Sequence, residues 1–358
     1  MNKKIYLVLV LVLIVLTIVF LESRKMPLPV YDSEKKGNEE AVEGFIPVAE
    51  KEYSHARYNE IVNPSGFINT DNFTLSQFIR KKVILIDFWT YSCINCLRTL
   101  PYVNAWHEKY KDQGLLIVGI HSPEFKFEEE YANVQKAVET YGVGYPVVLD
   151  NSHATWRAYK NNYWPREYLI DIDGYIVYDH IGEGGYEETE TKIRELLEER
   201  RNKLNISDFR FNNFTQPSNV YEVDFSQVKS PETYFGAQRN EYLENGVQGK
   251  KGIQNFKEPS SLSSNLLYLS GSWDITDEYA ESVSSSKIFF NYEAKNVYIV
   301  ANAERDSVAS LVIDKKFVKN ITVNEEKLYT LIEGDAYARH SLELTVPQGV
   351  KVFTLTFG

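Results

Sequence analysis

Hydrophobic and polar positions divide the chain into four stretches of different rhythm. The first is an unbroken apolar run from Ile5 to Leu21, set between Lys3-Lys4 and Glu22-Ser23-Arg24-Lys25. At about 1.5 Å of rise per residue it spans roughly 25 Å, the short end of the range for a membrane helix. No small-x-small cleavage pattern follows Leu21 and no cysteine stands there to be acylated, so residues 1–25 are expected to be a retained, single-pass membrane anchor. Lys3 and Lys4 favour a cytoplasmic N-terminus and hence an extracytoplasmic body. Residues 26–63 carry prolines, Gly37 and an acidic stretch from Glu34 to Glu43 with little apolar periodicity, the composition of a linker.

Over 64–205 the pattern switches between periods of 2 and 3.6 residues. A short helix or turn at 72–79 feeds an apolar strand at 83–88. A helix then opens near Cys93, carries Val103, Trp106 and Tyr110 at helical spacing, and stops at Gly114. Next come a strand at 115–121, a helix at 128–141, a short strand at 147–149 and a short helix at 154–159. Runs at 167–172 and 175–181 flank Asp173-Gly174 as a hairpin, and 190–203 reads as a closing helix. This is a βαβ unit with a right-handed crossover, followed by a β-hairpin and a helix. Across 206–358 short alternating runs (287–292, 296–300, 310–313, 352–357) are separated by Asp, Asn, Ser and Gly turns, which predicts an all-β sandwich or jelly roll.

A chain of 358 residues has room for two such cores. Its net charge of −11 and pI near 5.2 exclude a nucleic-acid partner, whose phosphates need a basic surface.

The only two cysteines are Cys93 and Cys96, placed where a strand hands over to a helix. Backbone N–H groups and the helix dipole favour a thiolate at a helix N-terminus, so Cys93 is expected to be the attacking sulfur. Cys96, one turn on, is expected to resolve the mixed disulfide that Cys93 forms. Asp87 is a lone carboxylate on an otherwise apolar strand; its burial predicts a raised pKa and a role as proton acceptor for Cys96, the alternative being a local hydrogen bond. Pro101 falls inside the dithiol helix and removes the hydrogen bond that Leu97 would accept, a structural role. Pro165 precedes the hairpin strand, where a cis peptide would expose backbone beside the dithiol for an extended substrate; a trans proline at a strand edge is the alternative.

Asp87-Phe88-Trp89, Cys93-x-x-Cys96, Pro101 and Pro165 before a Leu-Ile-Asp strand together resemble the thioredoxin superfamily. The stretch from Trp89 to Tyr102, with Gly119-Ile120-His121-Ser122-Pro123-Glu124-Phe125 and Gly182-Glu183-Gly184, is similar to its TlpA/ResA-like branch and to the DipZ-type redoxin domain. The tail, through Ser230-Pro231-Glu232-Thr233-Tyr234-Phe235-Gly236 and the terminal Phe353-Thr354-Leu355-Thr356-Phe357-Gly358, is similar to the carbohydrate-binding-like β domain that follows it. The resemblance implies an α/β thioredoxin-like fold over 64–205 and a thiol-disulfide oxidoreductase acting on disulfides of secreted or envelope proteins. It implies that Cys93 attacks, Cys96 resolves, Asp87 is the buried proton-relay acid and Pro165 the cis-proline, with Trp89, Thr99 and Pro101 in support. No cofactor and no metal are expected. DipZ-type proteins carry a multi-helix electron-importing membrane domain ahead of the redoxin domain, whereas one apolar segment stands here, so a separate CcdA-type membrane protein is the expected donor. Thr99 stands where ResA-type proteins have a glutamate, and the resemblance carries no preference for apocytochrome c.

Three other readings compete. Thr90-x-x-Cys93 resembles a thiol peroxidase motif, but Ile86 replaces its proline and Cys96 is too close for that design. His107 or His121 would have to join the cysteines to bind zinc or copper, and Leu97 excludes a c-type haem site. A glycan-binding module with an accessory redox domain would use Trp273, Tyr268 or Tyr292 to stack on sugar, although aromatic residues on strands are more often core.

Overall fold

The computed structural model describes residues 48–207, 213–218 and 220–358. The apolar run read as a membrane anchor lies outside them, and among the described residues no helix is long and apolar enough to cross a membrane.

The α/β part is built on six strands: β1 (Gly66–Ile68), β2 (Val83–Trp89), β3 (Leu115–His121), β4 (Val147–Leu149), β5 (Arg166–Ile170) and β6 (Ile176–Ile181), in the order β1-β4-β3-β2-β5-β6. β2, β3 and β4 are parallel, whereas β5 runs antiparallel to β2, and β6, antiparallel to β5, runs in the same direction as β2. β2 is buried along its whole length. Its period-2 alternation sends Val83, Leu85 and Trp89 to one face and Ile84, Ile86 and Phe88 to the other. The first face packs under helix α2 (Ile94–Tyr110) through Val103, Trp106 and Tyr110, and under α5 (Tyr186–Lys203) through Ile193 and Leu197. The second meets Phe73, Leu75, Trp156 and Tyr159. α5 begins four residues before the expected 190, because Gly185 supplies a left-handed N-cap and Tyr186 stacks on Tyr102 with ring centres 3.6 Å apart.

The stretch read as linker to residue 63 is already folded from Val48. Helix α1 (Val48–Ser54) drives Lys51 into the α/β part, where its ammonium lies 2.6 Å from Asp171 and 2.5 Å from Glu199. Such long-range ion pairs leave no trace in local periodicity. Two short helices, α3 (Tyr131–Thr140) and α4 (Ala154–Ala158), complete the layer.

The C-terminal part is a nine-stranded antiparallel sheet around its own core, which includes Trp273, Phe290, Tyr292 and Leu344. The runs at 287–292 and 296–300 are one strand, β11 (Ser286–Ala303); a register shift between Ala294 and Asn296 makes a bulge of the residues read as a turn. β11 pairs with β9 (Leu267–Ile275) in its first half and with β15 (Val350–Phe357) in its second, while β10 (Ala280–Ser282) bridges β9 and β15. These pairings close a four-strand ring, so the sheet curls on itself. Phe353 of β15 crosses to the α/β part, its ring centre 5.0 Å from that of Phe125 and 4.9 Å from that of Phe127.

Candidate active site

Cys93 is the N-cap of α2, with extended backbone, and is half-buried; Cys96, one turn in, is buried. Both are free thiols. Burial pushes the Cys96 thiol well above its usual range, its hydrogen bond with Cys93 adds to this, and the Asp87 charge acts in the same direction. Deprotonating Cys96 therefore needs an acceptor nearby.

Asp87 stands on β2 in the alternation that faces α2, and is 1% exposed. Burial alone raises its carboxyl to about 7, and its Oδ1 has no hydrogen-bond partner among the described residues. Its neighbours at the same level are Gly119 on β3 and Glu167 on β5. A Cβ at Gly119 would come 2.9 Å from Trp89 Nε1 and 3.0 Å from the Tyr145 ring, so glycine is what admits the Trp89 and Tyr145 side chains there. Trp89 is fully buried and packs edge-on against His121.

The Trp164–Pro165 peptide is cis, and the Trp164 indole donates to the Ser122 carbonyl. Pro101 lies within an α2 that runs on to Tyr110. Thr99 is buried and donates to the Asn95 carbonyl at 3.0 Å.

Glu128 escaped the sequence analysis, since nothing local marks it. It is fully buried at the foot of the dithiol loop. Its carboxylate accepts from the Ser92 amide at 3.1 Å and hydroxyl at 2.7 Å, and from the Glu124 and Phe125 amides at 2.6 and 3.1 Å. Burial pushes Glu128 above the ordinary carboxylate range, against the pull of the Thr90 and Ser92 hydrogen bonds. Glu167 was also missed; only knowledge of strand register would have set it beside Asp87.

His121 is fully buried and pushed down to about 3 by desolvation, and the Thr90 hydroxyl faces it at 3.4 Å. Neither His107 nor His121 belongs to a ligand cluster. Among the described residues, the one group of three metal-type ligands is Asp171, Asp173 and Glu199, and the Lys51 ammonium sits within it. Trp273, Tyr268 and Tyr292 are core residues of the β part, so the aromatic faces required for sugar stacking are covered.

The family model described as Redoxin matches residues 68–197, and that described as Thioredoxin like C-terminal domain matches 230–358. Residues 68–197 are thus a redoxin domain, followed by a thioredoxin-like C-terminal domain. Protein DipZ of Mycobacterium tuberculosis is 38% identical to it over 299 residues, 82% of this chain and 42% of the relative. DipZ of Mycobacterium bovis matches to the same extent, so the chain spans less than half the length of these relatives. The thiol-disulfide oxidoreductase YkuV of Bacillus subtilis is 29% identical, over 39% of this chain and 93% of that protein. Among solved structures, a thioredoxin-like protein in its oxidized form matches at a TM-score of 0.38 and 26% identity, covering 40% of this chain and 97% of its own. In the redoxin domain the matched region contains both cysteines, Asp87, Pro165 and Glu167.

Proposed function

We propose that this protein is a thiol-disulfide oxidoreductase that reduces or exchanges disulfides of secreted or envelope proteins. The observation that carries the reading is the asymmetry of its dithiol, with Cys93 half-exposed at a helix N-terminus and Cys96 buried one turn behind it. Cys93 Sγ attacks a substrate disulfide, forming a mixed disulfide and releasing one substrate sulfur. Asp87 takes the Cys96 proton, and Cys96 Sγ displaces the second substrate sulfur from Cys93, leaving the Cys93–Cys96 bridge. Pro165 and Trp164 border the site where an extended substrate segment is held. Residues 1–25 tether the protein to the membrane with the dithiol outside the cytoplasm, and a separate CcdA-type membrane protein returns electrons to the bridge.

The test is covalent trapping. Cys96→Ser protein should retain substrate proteins as reductant-sensitive adducts on Cys93, and wild type should reduce insulin. Failure of both would overturn the reading.

A further inference from the structure

Asp87 and Glu167 are direct partners across β2 and β5, so their side chains leave the same face of the sheet with Cβ atoms about 5 Å apart. Both are at most 2% exposed. Asp87 Oδ1, Glu167 Oε1 and the Tyr145 hydroxyl all lack a hydrogen-bond partner among the described residues. The groups facing Glu167 are Asp87 from β2, Tyr145 from the loop before β4, Thr189 and Tyr186 from α5, and Tyr178 and His180 from β6. Cys96 lies across from Asp87 on α2. No lysine or arginine is among them.

Two carboxylates packed side by side out of solvent, with no lysine or arginine beside them, do not both ionise near neutral pH. We propose that Glu167 is a positioning residue for the resolving step: it and Asp87 form one two-carboxyl site that holds a resident proton and sets how readily Cys96 gives up its own. In the resting site Glu167 carries the proton and Asp87 the charge. During resolution the Cys96 proton passes to Asp87, the Cys96–Cys93 bond forms as the Cys93–substrate bond breaks, and the leaving substrate sulfur takes a proton from water. The site is then neutral until it returns its extra proton to water. Burial, and secondarily the Asp87 charge, raise the Glu167 carboxyl to about 8, in keeping with this order. The proposal rests on the dithiol reading above, but its test needs no substrate.

The test is an NMR titration of the reduced full chain, labelled at the cysteine Cβ and at the Asp and Glu carboxyls. In wild type the two carboxyls should each show both inflections of a coupled pair. Glu167→Gln should lower the Cys96 midpoint by about one pH unit, the effect of removing one neighbouring like charge. Asp87→Asn should lower the Glu167 midpoint, and the double variant should lower Cys96 further than Asp87→Asn alone. Glu167→Asp should restore the wild-type midpoint. A Cys96 midpoint unmoved by Glu167→Gln, or independent single-step carboxyl titrations in wild type, would overturn the proposal; the wild-type measurement decides it even if a variant fails to fold.

Discussion

The Arg98 guanidinium lies 2.6 Å from the Glu183 carboxylate, with both side chains nearly buried. Arg98 belongs to the dithiol helix, Glu183 to the turn after β6, and the Tyr298 ring of the β domain lies 5.9 Å from the guanidinium. One ion pair thus joins the helix that carries both sulfurs to the hairpin that follows Pro165, against a wall supplied by the C-terminal domain.

Removing one member of such a pair strands the other. Arg98→Met should cost about 3 kcal/mol in urea unfolding, and adding Glu183→Gln to it should recover much of that loss.

Asp87 gives the stability a sign with pH. Its folded carboxyl is raised from 3.8 to about 7, so the folded state binds the proton more tightly than the unfolded chain. The associated stability is fully present below about pH 4 and is lost as pH rises through 7; Glu167, raised from 4.5 to about 8, extends the loss. Asp87→Asn should therefore be more stable than wild type at pH 8, by about 2–4 kcal/mol, with the difference closing near pH 4. Thermal unfolding across this range checks it, and a pH-independent difference would refute it.

Glu128 holds the loop that presents Cys93. Glu128→Ala leaves the buried amides of Ser92 and Phe125, and the partly buried amide of Glu124, without their acceptor. A loss of about 3 kcal/mol is expected, together with faster hydrogen exchange at the Ser92 amide and slower reaction at Cys93.

Lys51 neutralises a buried acidic cluster. Lys51→Met should destabilise by about 3 kcal/mol, because it strands the buried carboxylates, and adding Glu199→Gln should recover part of that loss. Urea midpoints of the single and double variants provide the comparison.

What the sequence made legible was local. Strand 115–121 and the Cys93-x-x-Cys96 turn are written in periodicity and spacing within one βα unit, and Asp87 stood out because its strand is otherwise apolar. Glu167 and Glu128 were illegible because their roles depend on strand register and on a contact across 36 residues. The same limit explains α1: Lys51 reads as one more charge in an acidic linker until the fold brings Asp171 and Glu199 to it. In the β domain, the polar residues around Lys295 imitate a turn, and only pairing with β14 (Lys327–Val346) reveals the bulge.

The attachment of Lys51 also gives the redoxin domain a front and a back. β5 runs against β2, so Asp171, just past its end, lies level with the start of β2, whereas the sulfurs follow the other end, about 20 Å away. Val48 therefore enters the domain near its blunt pole. Under the proposed function a client disulfide would meet the opposite pole, clear of α1 and of its ion pairs with Asp171 and Glu199.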